Sequence, residues 1–347
     1  MSTATYVPPT FDLEGDDARE TLCSTGRARL LKDAFKRFRA ADGFSHSRAL
    51  AYQIFLSATA GLIGMVALAT AAEERDTRRV LEETLKGMAP GPTGKVLTDT
   101  FQQGAQQSGS VALWLGLGVA VLAGALAMAQ IERGANRIYG IDEDRPTLKR
   151  YGLAVILAVT AGLLIVASVL LLVAGSAIAE AALAAGGWND ALATALEWLR
   201  WPAGVALIII STSVLFRYAP RRHQPSMSWL ATGAVLSVVL WLVFTAGLSL
   251  YTTAAGNFGD TYGPLAGIIG LLLWANLTSI SMHLGLAFAA QLEAVRAGVS
   301  EPSREANPMK RHGLGSASES LSAQDDRGQS SSAWSESNTP GPAHTNP

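Results

Sequence analysis

Cysteine is nearly absent: Cys23 is the single one in 347 residues. That excludes an intramolecular disulfide and a cysteine-clustered metal centre. Cys23 sits in a polar segment and reads as a plain solvent-exposed thiol. Histidine is scarce as well, and His46, His223, His283, His312 and His344 are too far apart to form a local ligand pair. The phosphate-binding glycine loop, the nucleophile elbow, the HExxH helix and the dinucleotide fingerprint are all missing. Metal-assisted phosphodiester cleavage needs clustered histidines and carboxylates outside lipid. The sequence therefore points away from an enzyme and asks for no cofactor. Charge is scarce in a more informative way. Charged residues make up 16% and hydrophobic ones 49%, and the charges gather between long uncharged runs. A soluble chain interleaves the two to cover its surface, so this is the pattern of a polytopic membrane protein.

Six runs are candidate crossings, since ~20 apolar residues suffice to span a bilayer. They lie at about 49–72, 109–130, 151–179, 201–216, 229–251 and 263–290. The third contains 29 uncharged residues before Glu180, and the sequence leaves open whether it is one helix or two. Residues 180–200 read as a short amphipathic outer segment with Trp188, Trp198 and Trp201 as interface anchors. Pro202 then falls in the first turn of the fourth crossing, where a missing N–H matters little.

Residues 27–41 are of a different kind. Leu30, Leu31, Ala34, Phe35 and Phe38 recur at helical spacing among Arg29, Lys32, Lys36, Arg37 and Arg39. This predicts a basic amphipathic helix in the headgroup plane, with those five cations on anionic lipid headgroups. The competing reading is a helix packed on protein. Nucleic acid is not an expected partner, because the aromatics fall on the apolar stripe. The expected organisation is a disordered tail over 1–26, the interfacial helix over 27–48, a six-span domain over 49–295 and a disordered tail over 296–347. The fold class is all-α. Lys and Arg number 19 in the segments assigned to the inner side and 6 in those assigned outside. That bias predicts cytoplasmic termini in a bacterial inner membrane.

The last run carries polar groups at membrane depth. Asn276, Ser279 and His283 fall at i, i+3 and i+7 on one helical face. Such a stripe must face the bundle interior or water. It reads either as a substrate or proton path or as hydrogen-bonding glue between helices. Gly263 and Gly267 open the same run one turn apart, which suits close helix packing or a homo-oligomeric seam.

Four blocks of sequence together resemble the YihY/BrkB family of bacterial inner-membrane proteins. They are LAYQIFLSATAGL (50–62), NRIYGIDEDR (136–145), FRYAPRRHQPSMSWLATGAVLSVVLW (216–241) and YGPLAGIIGLLLWAN (262–276). Asn136, Arg145, Tyr218, Pro220, Tyr262 and Trp274 carry the likeness. The resemblance implies a six-helix membrane fold, and some members of the family bear an old ribonuclease label or a link to serum resistance. Two positions depart from the family pattern. Ser57 is followed by Ala58-Thr59-Ala60 rather than a nearby proline. Gly285-Leu286-Ala287 stands where relatives often have Gly-Ala-Glu. The expected role is a permease-like transporter of unnamed substrate. A non-transporting envelope scaffold or lipid-binding protein is the alternative, and a membrane-bound hydrolase or nuclease is third.

Overall fold

The computed structural model describes residues 2–10, 13–71, 110–184, 190–254 and 265–304. All regular elements among these are helices. They are α1 (Gly15–Thr25), α2 (Arg27–Ala40), α3 (Gly43–Ala71), α4 (Ser110–Ile138), α5 (Thr147–Ala184), α6 (Asp190–Tyr218), α7 (Met227–Ala254) and α8 (Leu265–Arg296). Residues up to Pro302 form one compact unit. The second unit, from Ser303 on, is described only to Arg304, so the tail expected over 296–347 lies mostly outside the described residues. The outer loop at 73–108, together with Trp188, Tyr262 and Gly263, lies outside them entirely.

The six long helices close into a ring. Each packs on the next in sequence from α3 to α8, and α8 returns to pack on α3. Four stretches are long and apolar enough to cross a membrane: Thr147–Leu172, Trp198–Tyr218, Met227–Thr253 and Leu265–Arg296. Large apolar side chains point outward from the ring, among them Leu122, Ile156, Leu163, Val243 and Leu250, each about 60% exposed or more. Burying them in hydrocarbon removes the penalty that water would impose. The ends of α4, α6 and α8 meet the starts of α3, α5 and α7 at one side of the bundle. That side carries the short connections 139–146 and 219–226, and it is termed the capped end below.

Helix contacts depend on small residues and on hydroxyls that bond backbone. Ser168 Oγ on α5 donates to Gly204 O on α6, and Ser211 Oγ on α6 returns a bond to Ala161 O on α5. Facing helices α7 and α8 meet at Gly233 and Gly285. A methyl group at Gly285 would overlap Gly233 O and Ser237 Oγ, so the two backbones touch where neither residue has a side chain. Lipid tails are as apolar as leucine, so packing of this kind drives helix association in a bilayer. Gly267 is buried in α8, and Gly263, its partner in the repeat, lies outside the described residues.

Several sequence expectations need correction. Residues 2–10 and 13–25 are not a structureless tail. Ala4 and Val7 are fully buried, and α1 follows. The basic segment is not one helix over 27–48. It breaks at Asp42, whose φ of 54° is left-handed, and residues 43–48 belong to α3. The third run is one continuous helix, and α5 extends it to 38 residues. Of residues 180–200, residues 180–184 belong to α5 and 190–200 to α6, and the rest lie outside the described residues. Pro202 lies well inside α6, not in its first turn. Strong flanking apolarity overrides the local break that a proline signals.

Gly285→Leu should therefore prise α7 from α8. Overpacking of this order costs about 1–3 kcal/mol, read as a lower detergent melting temperature. Substitution at Gly152, which has nothing near it, should leave that temperature unchanged.

Candidate functional site

The membrane stripe divides into two unlike parts. Ser279 and His283 are fully buried in α8. Ser279 Oγ donates to Ala275 O in its own helix. His283 Nδ1 lies 2.9 Å from Ser279 O and 3.2 Å from Ser47 Oγ on α3. A carbonyl can only accept, so Nδ1 carries the hydrogen. The other ring nitrogen has no partner and lies against Gly134 of α4, where a Cβ would collide with it. His283 thus pins α8 to α3 and α4 in a space that a glycine keeps open. Asn276 is not sealed in the same way. It lines a groove of about 360 Å³ between α3 and α8, with Arg48, Tyr52, Leu272 and Leu273. His46, also on α3, lies 3.4 Å from Gln130 Nε2.

The densest polar chemistry lies at the capped end. Glu293, in the last turn of α8, is fully buried and pairs with Arg222 of the α6–α7 connection, itself only 3% exposed. Thr10 gives the same carboxylate oxygen both its hydroxyl and its backbone N–H. The Arg222 guanidinium lies over the Tyr139 ring, 4.5 Å from its centroid. Its remaining hydrogens go to Val7 O, Pro8 O and His223 O. Arg37 from α2 completes the group, bonding Gln291 Oε1 at 2.8 Å, Thr5 O and Ile138 O. Burial lowers the Arg37 pKa to about 10, which leaves it charged at neutral pH, and burial pushes the Tyr139 phenol up.

Arg37 therefore leaves the set of lipid-facing cations. Positions 30, 34, 37 and 38 of α2 form its buried face, so the stripe packs on protein and carries one arginine inward with it. Leu31 and Phe35, a helical step to the side, are 46% and 43% exposed.

Residues 2–10 cross this end as an extended strap. Alternate backbone N–H groups of Thr3, Thr5 and Val7 donate to Ala40 O, Pro302 O and Tyr139 O. Gly140 makes room for it. Its φ of 73° suits glycine, and a Cβ there would strike the backbone of Tyr6. Beyond the strap, Arg296 at the end of α8 reaches Asp17 and Glu20 of α1.

Two of the family-like blocks prove to be halves of one clamp. Arg145 donates to Tyr218 O, Ala219 O and Pro220 O, and it faces buried Glu132 at 3.2 Å. Asn136 accepts the backbone N–H of Arg221 at 2.7 Å and donates to Asp144. The Asn…Arg connection thus holds the Tyr218-Ala219-Pro220 connection by its carbonyls, and Tyr218 itself points outward, 51% exposed. Trp274 lies half-buried in α8, apart from this clamp. The acidic loop residues are paired rather than free: Asp142 and Asp144 face Arg137, Asp144 faces Arg150, and Glu143 faces Arg221.

Sequence reasoning missed Thr10, Gln291 and Glu293, and it met Tyr139 only as part of the family-like 136–145 block and Arg222 only as a basic residue of the 216–241 block. Glu293 reads as the first charge beyond an apolar run, and Thr10 as part of a tail. A faint signal exists, because Gln291 and Glu293 lie too close to His283 to clear the helix bundle. Nor does the helix lack an acid, as the Gly285-Leu286-Ala287 departure suggests: Glu293 stands two turns further on. Among the described residues no group of three His, Cys, Asp or Glu side chains is placed to hold a metal ion.

A family model described as Virulence factor BrkB matches residues 34–310. A ribonuclease-like protein of Bacillus subtilis (strain 168), YfkH, is 28% identical over 255 residues, which is 74% of this chain and 92% of that protein. A UPF0761 membrane protein of Azoarcus sp. (strain BH72) is 26% identical over 215 residues, 60% of this chain and 50% of its own length. Another, from Xanthomonas campestris pv. campestris (strain B100), is 27% identical over 179 residues, 49% of this chain and 39% of its own. The chain thus spans half or less of these two longer relatives. No solved structure matches.

Replacing Glu293 with Gln should strand the Arg222 guanidinium in a buried site. Breaking one partner of a buried pair costs about 3–5 kcal/mol, visible as a large fall in detergent melting temperature. A combined Arg222→Met and Glu293→Leu protein should recover much of that loss.

Proposed function

Because the chain belongs to the virulence factor BrkB family and is a membrane protein, we propose that it is a six-span, permease-like protein for amphipathic solutes. In this reading α3 and α4 join the four apolar helices as crossings. Each has 29 residues, or roughly 43 Å at 1.5 Å per residue. The capped end faces the cytoplasm, in keeping with its excess of Lys and Arg, and both flanks of the domain lie on that side of the inner membrane. Helix α2 rests on the inner leaflet. Exposed Leu31, Phe35 and Phe44 dip toward acyl chains, and Arg29, Lys32, Lys36 and Arg39 meet anionic headgroups, each worth about 1 kcal/mol near the surface.

The observation that carries the reading is the α3–α8 groove. Tyr52, Leu272 and Leu273 are exposed along it, so it opens sideways toward lipid. Its wall is apolar, with Asn276 polar at membrane depth and Arg48 cationic toward the capped end. That combination suits an acyl chain along the wall and a polar or anionic head beside Arg48. The reading assigns no catalytic chemistry and no cofactor to the chain.

A scaffold or lipid-binding role is the second reading. It is favoured by the sealed setting of His283 and by the ion pairs across the capped end. Single cysteines at 276, 279 and 283 in a Cys23→Ser background distinguish the two. The groove predicts that only Asn276→Cys reacts with a lipid-soluble, membrane-permeant maleimide, and that Asn276→Leu slows solute flux in proteoliposomes. An unreactive position 276, with stoichiometric partners on purification, would favour the scaffold. Purified protein with divalent metal should leave RNA as intact as a mock preparation does.

A further inference from the structure

We infer that the buried Arg37–Arg222 pair is an oxyanion-binding site, closed in this conformation by the backbone of residues 5–8.

The charges at this place do not balance from within. The side chains of Arg37 and Arg222 are both buried, and among the described residues the carboxylate that faces both is Glu293. Among those residues one positive charge is left in excess, in a setting where an uncompensated charge is strongly unfavourable. Residues 2–10, STATYVPPT, contain no charged side chain. The strap answers the guanidinium groups with neutral carbonyl oxygens only: Thr5 O for Arg37, and Val7 O and Pro8 O for Arg222. These oxygens stand where those of a phosphate or sulfate group would stand. A guanidinium binds such a group through paired, charge-assisted hydrogen bonds that are stronger than bonds to a neutral carbonyl.

The fit with the strap is also incomplete. Arg37 Nη2 has no hydrogen-bond partner, although the residue is fully buried, and neither does Glu293 Oε2. Buried polar atoms are rarely left so. The strap's own attachment is weakest at this point, since Pro8 and Pro9 have no N–H to give and Thr10 is the next donor. Release of residues 5–10 would therefore free two arginines and uncover a carboxylate that stays paired with Arg222. Binding of an oxyanion and closure of the strap exclude one another.

This inference does not depend on the α3–α8 groove, and its test is independent of flux. The full chain carrying Cys23→Ser and Val7→Cys is labelled with a membrane-impermeant maleimide. Inorganic phosphate is titrated at constant ionic strength. The labelling rate should rise severalfold and saturate. Thr10→Val, which removes a strap bond to Glu293, should lower the half-saturating phosphate concentration severalfold, because more of the protein is already open. A misfolded protein would not gain affinity in this way. Arg37→Gln should abolish the response. Nanodiscs of phosphatidylglycerol or phosphatidylcholine without free phosphate separate the two sources. Opening by phosphatidylglycerol alone assigns the site to a lipid headgroup, and opening by phosphate alone assigns it to a free solute. A rate that is flat in phosphate and in both nanodiscs, with and without Thr10→Val, overturns the inference. So does a rise that Arg37→Gln retains.

Discussion

Glu293 and Arg222 meet where neither can be reached by bulk water, and the capped end is arranged around that fact. A charge taken out of water needs an opposite charge and a full set of hydrogen bonds. Here the partners come from parts of the chain that share no local structure. The acid belongs to the last turn of α8 and one base to the connection before α7. The second base belongs to α2, and the hydroxyl belongs to a strap that precedes every helix. Holding one ion pair thus fixes four segments relative to one another. The Asn136 and Arg145 clamp adds the α4–α5 connection, so most helix ends at the capped end are tied to a neighbour through polar contacts.

Toward the bilayer the governing chemistry changes. Apolar burial cannot favour one helix neighbour over lipid, and what remains is close contact and the bonding of stray hydroxyls. Gly233 against Gly285, and Gly134 against His283, bring the seams of α8 within backbone or ring contact. The same logic explains why Ser279 and His283 do not line a path. Ser279 Oγ and His283 Nδ1 bond α8 or the adjoining α3, His283 Nε2 is pressed against Gly134, and the stripe that looked continuous by spacing is interrupted by a packed seam before it reaches Asn276.

How legible this was depended on the range of the interaction. Long uncharged runs announce helices because the bilayer sets their length, and α5, α7 and α8 follow the sequence closely. The two paired loop motifs were visible as separate blocks, but nothing in either reveals that one grips the carbonyls of the other. The strap was illegible for a plain reason. Residues 2–10 show neither helical nor strand periodicity, since their order comes from side chains hundreds of positions away. Arg37 was misread because spacing gives the faces of a helix but not which of them meets protein. Pro202 was misplaced because a proline marks a local preference, which the packing of α6 against α5 overrides.

The strap also sets the order of assembly. Thr10 and Glu293 are 283 positions apart, so the strap finds this partner only once α8 has been made. Throughout insertion, Arg37 must wait on α2 with its charge in water or among headgroups, while the helices enter the bilayer in turn. Closure of the ring by α8 against α3 is what brings Glu293 to that end. Docking of residues 2–10 is then a late step, and a chain halted before α8 would leave the capped end open and cationic.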